Sequence, residues 1–142
     1  MDTLTADQRS ELMSRIRGKD TAPEWIVRRV AHGLGYRYRL HDAKLPGKPD
    51  LVFPRLRKVI FVHGCFWHLH TCRQGMNAPK TNVFFWNAKR EGNKTRDSRV
   101  RRELRRLEWE VLVIWECQCR NPVKVRDKVN EFLGGKGGRH KR

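Results

Sequence analysis

Three residues that readily bind metal ions lie within eight positions of one another, Cys65, His70 and Cys72. Thiolates and an imidazole are the ligands that Zn²⁺ takes in structural sites, where four protein ligands close the coordination shell. Cys117 could supply the fourth ligand, although Cys119 would face the same side if both lie on a strand. Two buried cysteines beside a loop histidine are the alternative. The spacing favours a structural zinc site that fixes a long loop to the end of a later strand.

A second set of residues could hydrolyse a phosphodiester. Asp50 opens one apolar segment and the next apolar segment ends at Val62 and His63, so a carboxylate at that place could bind Mg²⁺. His68 lies between the expected zinc ligands and could take a proton from the attacking water. Glu24 is a further acidic candidate. Taken singly, these residues are better explained as a turn residue, a surface histidine and a helix-capping acid; their combination favours a nuclease.

The chain carries a large positive charge. Its 142 residues include 32 Lys and Arg against 15 Asp and Glu, a formal charge of +17. Nucleic acid is the first partner to consider for such a surface, with an anionic membrane surface or a ribosomal-type basic protein as alternatives. Residues 89–106 concentrate nine of the basic residues against three acidic ones. Because no apolar run approaches the ~18 residues that a spanning helix needs, the composition excludes a transmembrane protein.

The length fits one domain with its own core. The first ten residues are polar and lack the apolar segment of a signal peptide, so we expect a cytoplasmic protein, associated with the nucleoid when it binds DNA. In that reducing environment, clustered cysteines and histidines indicate metal binding rather than disulfides.

The elements that must position these residues follow from capping and periodicity. Helices are predicted at residues 5–18, at 21–34, from Asp97 or Ser98 onward, and at 122–133. Strands are predicted at residues 36–40, 50–53, 58–62 and 110–115. Residues 63–93 are predicted to be an irregular loop, and residues 134–142 a basic disordered tail. The order of these elements favours an α/β fold with a mixed sheet.

The zinc-loop segment also resembles a known family. Residues 63–72, HGCFWHLHTC, are similar to the HGCFWHxHxC signature of the very short patch repair (Vsr) DNA mismatch endonucleases. Weaker matches follow in the same order along the chain: residues 13–21 with Pro23-Glu24, residues 45–50, Phe85-Trp86 with Lys89, Asn93 and Arg96-Asp97, and Trp115-Glu116-Cys117. The resemblance covers about residues 8–133. It implies a single domain over residues 1–133 with a restriction-endonuclease-like core, a mixed β-sheet flanked by helices.

The resemblance implies a specific reaction. Members of the family nick DNA on the 5′ side of the thymine in a T:G mismatch, which arises when 5-methylcytosine deaminates, so they accompany a cytosine-5 methyltransferase. By motif position, Asp50 would bind Mg²⁺ with the main-chain carbonyl of Val62, His68 would be the general base, and Glu24 would hold or polarise a water on the metal. His63 and Asp97 would have supporting roles. A single-strand nick requires only a monomer.

The same resemblance implies the remaining site residues. The zinc ligands would be Cys65, His70, Cys72 and Cys117, with Cys119 a spare thiol. Phe66, Trp67 and Trp86 would wedge beside the mismatch from the major groove, Met13 and Ile16 of an N-terminal clamping helix (residues 1–18) would enter from the minor groove, and Lys89 and Asn93 would read the mismatched pair. A wobble pair is weakly stacked, so a wedge beside it costs less than in matched duplex.

One position separates this family from ordinary nucleases of the same fold. Those nucleases carry an acidic residue and a lysine at the end of the second strand, where this chain has Phe61-Val62-His63. Proton transfer therefore falls to His68. A zinc-containing DNA-binding module without catalysis and a restriction-type nuclease acting on matched duplex are the competing hypotheses.

Overall fold

The computed structural model describes residues 21–65, 68, 70–72 and 82–134. The predicted N-terminal helix with Met13 and Ile16, the aromatic pair Phe66-Trp67, and residues 135–142 lie outside this part of the chain. The described elements are the helices α1 (Ala22–Gly33), α2 (Val83–Arg106) and α3 (Pro122–Gly134), the strands β1 (Arg39–Leu40), β2 (Leu51–Phe53), β3 (Lys58–His63) and β4 (Glu110–Trp115), and a 3₁₀ helix (Glu116–Arg120).

The four strands form one mixed sheet in the order β1-β2-β3-β4. β2 runs antiparallel to β1 and β3, whereas β4 runs parallel to β3. The parallel pair is connected through α2, as parallel strands require a long crossover. Because Leu51 pairs with Ile60, the start of β2 lies beside the end of β3. The predicted mixed α/β fold is confirmed. Asp50 directly precedes β2 and therefore lies near the end of β3, as the sequence predicts.

Side chains alternate between the two faces of this sheet, and each face has its own core. Leu51 and Ile60 pack with the buried residues of α1 and α3, while Val52 and Val59 pack against α2. The sheet is therefore covered by helices on both sides. No helix in the described ranges is long and apolar enough to cross a membrane.

The first described helix begins as its sequence predicts. The hydroxyl of Thr21 caps it by accepting a hydrogen bond from the Glu24 N–H at 3.4 Å, and Pro23 occupies the first turn, where a missing N–H has no cost. The chain leaves the helix through Gly35, whose φ of +95° suits a glycine. This cap places Glu24 in the first turn of α1.

The prediction for residues 63–93 is wrong from Val83 onward, because α2 begins there and not at Asp97 or Ser98. Its buried residues lie three, four or seven positions apart, as one face of a helix requires, and two of the three in its first half are polar. The buried residues are Trp86, Arg90, Asn93, Val100 and Leu104. Buried apolar residues at helical spacing, Val100 and Leu104, are therefore confined to the second half of the helix, which is the part that the sequence predicts to be helical. Asp97 lies inside α2 rather than at its N-cap.

Three further boundaries differ from the prediction. Cys117 and Cys119 lie on the 3₁₀ helix and not on a strand, so the argument that both face one side does not apply. β1 forms only two of the five predicted residues. α3 continues through Gly134, the first residue of the predicted tail.

Candidate active site and metal-binding centre

The first group of functional side chains is the carboxylate centre, which consists of Glu24, His41 and Asp50. Their ligand atoms lie within 4.8 Å of one another. One oxygen of Asp50, Oδ2, accepts a hydrogen bond from the Val62 N–H at 2.6 Å. The other, Oδ1, lies 3.6 Å from His41 Nε2, which is 3.1 Å from Glu24 Oε1. The start of β2 and the start of α1 thus bring the two predicted acidic residues together.

Glu24 lies in the first turn of α1 and lines the cleft. It is only 4% exposed. Its Oε2 accepts from the Thr21 hydroxyl at 3.3 Å and its Oε1 accepts from Arg28 at 3.1 Å. The helix N-terminus favours a negative charge at this position. Glu24, three residues after the N-cap Thr21, therefore presents a buried carboxylate to the cleft.

Sequence reasoning missed His41. The residue follows a two-residue strand, and no metal-ligand or catalytic spacing surrounds it in the sequence. Its backbone adopts a φ of +46°, a conformation that few residues other than glycine adopt. Only the pairing of β1 with β2 brings its side chain between the two carboxylates.

The environment of Asp50 disfavours its charge. Burial, with a smaller contribution from the neighbouring Glu24 carboxylate, raises the pKa of Asp50 from 3.8 to about 6, although the Val62 N–H acts in the opposite direction. A bound cation would compensate the charge that burial makes unfavourable. Two carboxylates in this arrangement are therefore suited to a divalent metal ion.

The second group is the histidine pair with Asp97 of α2. His68 Nδ1 lies 2.5 Å from Asp97 Oδ2. The His68 ring stacks on the His63 ring at 4.0 Å with an angle of 4° between the planes. Burial, followed by the charge of His68, lowers the pKa of His63 to about 3, so His63 is a neutral partner. The contact through Nδ1 leaves Nε2 of His68 for proton transfer.

Both groups line the same cleft, which has a volume of about 630 Å³. A shallower depression on α2 adjoins it and shares Asn93 and Arg96 with it. The depression is lined by Lys89, Gly92, Asn93, Thr95, Arg96 and Arg99. A basic surface therefore leads directly to the acidic and histidine side chains, as a site for a phosphate backbone requires.

The third group is the cysteine centre, in which the four predicted residues Cys65, His70, Cys72 and Cys117 come together within 4.8 Å. The distance from Cys117 Sγ to His70 Nδ1 is 3.6 Å. Tetrahedral bonds of about 2.3 Å to sulfur and 2.0–2.1 Å to nitrogen separate two such ligands by about 3.5 Å. The donor set and its spacing therefore fit a four-coordinate metal ion without an open position.

Local contacts support the cysteine centre. The Cys117 N–H donates to Cys65 Sγ at 3.3 Å, and the His70 ring stacks on Trp115 at 4.1 Å. Burial raises the pKa of the Cys65 thiol to about 12, so its thiolate forms only where a cation compensates the charge.

Cys119 lies apart from this centre. It is 3% exposed and belongs to the core between the sheet, α1 and α3. Its thiol faces the carbonyl of Pro23 at 3.8 Å, and burial raises its pKa to about 11. The structure thus separates the two neighbouring cysteines that sequence reasoning from strand periodicity could not distinguish.

The predicted DNA-contacting residues of α2 differ in exposure. Trp86 is buried, whereas its neighbours Phe84 and Phe85 are 92% and 56% exposed. Lys89 is half-buried, and Asn93 is buried at the junction of the cleft and the basic depression. The exposed aromatic side chains on this part of the described surface are therefore Phe84 and Phe85, whereas Trp86, a residue that the resemblance assigns to the wedge, is buried.

Comparisons with known proteins identify the family of this chain. A family model described as DNA mismatch endonuclease Vsr matches residues 1–74, about half of the 142 residues. The chain belongs to the Vsr family. Vsr proteins are DNA endonucleases, so the chain is a hydrolase that acts on DNA.

Full-length Vsr relatives extend the match beyond residue 74. The type II nicking enzyme V.XorIIP of Xanthomonas oryzae pv. oryzae is 48% identical over 132 residues, which cover 93% of this chain and 96% of the relative. The DNA mismatch endonuclease Vsr of Escherichia coli K12 is 40% identical over 134 residues, covering 91% and 85%. The nicking enzyme V.NmeAIP of Neisseria meningitidis is 39% identical over 132 residues, covering 93% and 94%.

Proposed function

We propose that this Vsr endonuclease nicks one DNA strand on the 5′ side of the thymine in a T:G mismatch, using Mg²⁺. The observation that carries the proposal is the cleft in which Asp50 and the His68–Asp97 pair meet. The Escherichia coli relative is named a DNA mismatch endonuclease and the other two are named nicking enzymes. A nicking enzyme cuts one strand, and one set of candidate hydrolytic residues in the cleft is sufficient for a single cut.

Asp50 is the principal magnesium ligand in this proposal, together with the main-chain carbonyl of Val62, and Glu24 orients a water nearby. Hard oxygen donors are the ligands that Mg²⁺ prefers. When bound, Mg²⁺ supplies positive charge that polarises the scissile phosphate and lowers the pKa of a water. The hydrogen bond from the Val62 N–H to Asp50 Oδ2 supports the role because it holds the carboxylate and leaves Oδ1 towards the cleft.

His68 is the general base. Its Nε2 takes a proton as the water oxygen forms its bond to phosphorus and the bond from phosphorus to the leaving oxygen breaks. Asp97 holds the ring through Nδ1 and stabilises the imidazolium that results, while the His63 ring stacks on one face of it. The structure favours a larger role for Asp97 than the sequence indicated, since it positions the base directly.

Zn²⁺ is the proposed occupant of the cysteine centre, where it has a structural role. Three thiolates and one imidazole leave no open position for a substrate. Two of the ligands, Cys65 and His70, flank His68 in the sequence. Zinc there would hold the segment that carries the general base.

DNA recognition is proposed to involve the basic surface of α2 and the aromatic residues near it. Lys89 and Asn93 lie beside the cleft, where they would contact the mismatched pair. Trp86 with Phe66 and Trp67 would wedge from the major groove, and Met13 and Ile16 would clamp from the minor groove. A wobble pair lowers the cost of such wedging, which is a few kcal/mol per step in matched duplex. A cytosine-5 methyltransferase is the expected functional partner, and a monomer suffices.

A nicking assay tests the proposal. End-labelled duplexes that differ only in one T:G or C:G pair are incubated with the zinc-loaded protein and Mg²⁺, and each strand is labelled separately. We expect cleavage of the thymine strand alone, on its 5′ side, and only in the T:G duplex. Equal cleavage of both duplexes would support a nuclease for matched DNA. Binding without cleavage of either would support a DNA-binding module.

A further inference from the structure

His41 occupies a central place in the carboxylate centre, and no role described above uses it. Its Nε2 lies 3.1 Å from Glu24 Oε1 and 3.6 Å from Asp50 Oδ1. Asp50 Oδ2 is already engaged by the Val62 N–H, so the oxygen near His41 is the one that remains for a cation. The three side chains come from the start of α1, the end of β1 and the start of β2.

The distances match those between neighbouring ligands of one metal ion. In octahedral coordination with bonds of about 2.1 Å, adjacent ligand atoms are about 3.0 Å apart and opposite ones about 4.2 Å. The separations of 3.1 and 3.6 Å, within a set that spans at most 4.8 Å, require only small adjustments to reach this geometry.

The backbone of His41 has an uncommon conformation. Its φ of +46° lies in the left-handed region. Such conformations persist where the surrounding structure or a function requires them. Here the conformation directs the imidazole between two carboxylates.

We infer that His41 is a metal ligand, so that Glu24, His41 and Asp50 form a mixed oxygen and nitrogen site that binds Mn²⁺ in preference to Mg²⁺. An imidazole nitrogen suits transition-metal ions, whereas Mg²⁺ favours oxygen donors. The inference rests on the proposed function for the position of the metal. It adds His41 as a ligand, replaces the water-mediated role of Glu24 by a direct bond, and adds a metal preference.

The test uses zinc-loaded protein, so that the cysteine centre is filled before Mn²⁺ is added. Mn²⁺ binding is measured from the electron paramagnetic resonance signal of the free ion, with Mg²⁺ as competitor. Electron spin-echo modulation then reports a directly bonded ¹⁴N. The variant is His41→Gln, which keeps a side chain of similar length but offers an amide. The matched control is His32→Gln, at an exposed position of α1.

We expect His41→Gln to weaken Mn²⁺ binding at least about tenfold, to weaken Mg²⁺ binding much less, and to abolish the ¹⁴N modulation. His32→Gln should leave all three unchanged. Unchanged Mn²⁺ affinity or a persistent ¹⁴N signal in His41→Gln overturns the inference, and so does a wild-type protein without a ¹⁴N signal.

The two proposals fail separately. A protein that nicks T:G duplex with Mg²⁺ while His41→Gln still binds Mn²⁺ as tightly as wild type contradicts only the role of His41. A protein with the nitrogen-ligated Mn²⁺ but without mismatch nicking contradicts only the proposed function.

Discussion

The carboxylate centre and the cysteine centre are built in different ways. Three of the four ligands of the cysteine centre come from residues 65–72 and their spacing is visible in the sequence. The carboxylate centre takes one residue from each of three elements. Its donors converge only after the sheet has formed, so it is the less visible of the two in the sequence.

The two centres also differ in what they contribute to the fold. The cysteine centre is closed by four ligands, and a metal there would hold segments that are 45 or more positions apart, since Cys72 and Cys117 meet. The carboxylate centre faces a cleft and contains a carboxylate whose charge is disfavoured by burial. We therefore expect loss of the first to destabilise the protein and loss of the second to remove activity.

The largest effect on stability is expected from Cys72→Ala. This variant leaves three ligands and an open position, so zinc should be lost. Because zinc binding contributes to folding in sites of this kind, the free energy of unfolding should fall by an amount on the order of 5 kcal/mol. Zinc content by elemental analysis and urea unfolding measure the two effects. A variant that retains one zinc per chain and wild-type stability would contradict the assignment of the centre.

Asp50→Asn should show the opposite behaviour. Asparagine retains an acceptor for the Val62 N–H but loses the charge that binds Mg²⁺, so the nicking rate on T:G duplex should fall at least about a thousandfold, about 4 kcal/mol in activation free energy. Zinc content should remain unchanged. Single-turnover nicking with saturating enzyme measures the rate. A rate near wild type would exclude Asp50 as the principal metal ligand.

The sequence was most informative where local chemistry is strong. The Thr21 cap, the apolar run of β3 and the strand at residues 110–115 all lie within one residue of their predicted bounds. Apolar strands and capped helices are stabilised by the residues that define them, so their signals are local.

The sequence was least informative where the buried surface is polar. The first half of α2 buries Arg90 and Asn93 on the face where an ordinary helix has apolar residues, and Asn93 lines the cleft. Polar residues thus stand where the apolar periodicity that predicts a helix would be, as is expected near a functional site. His41 was missed for a related reason, since a contact between residues 17 positions apart has no local signature.

The pH dependence of stability should distinguish the two centres further. The pKa of Asp50 is about 6 in the folded protein and 3.8 ordinarily, so the folded state holds its proton more tightly than the unfolded state. This contribution is fully present below pH 4 and is lost as the pH rises through 6, an effect of up to ~3 kcal/mol. Without Mg²⁺, Asp50→Asn should therefore be more stable than wild type at pH 8 and similar to it at pH 4.

Thermal unfolding of both proteins across this pH range, in chelator-free buffer with zinc bound, measures the difference. Saturating Mg²⁺ at pH 8 should stabilise wild type and reduce the advantage of the variant, because the cation compensates the buried charge. A stability difference that does not change between pH 4 and pH 8 would contradict the unfavourable environment of Asp50.

The smallest effect on stability is expected from Cys119→Ala. This variant tests whether Cys119 is excluded from the cysteine centre. Cys119→Ala removes a buried thiol from an apolar core and should cost about 1 kcal/mol, because a free cysteine packs as a small apolar residue. Zinc content should stay at one per chain. Cys117→Ala, only two positions away, should lose zinc and much more stability, since Cys117 lies 3.6 Å from His70 while Cys119 faces Pro23. If the two variants lose equal amounts of zinc, the 3₁₀ helix does not separate the two thiols, and the fourth ligand is shared between them.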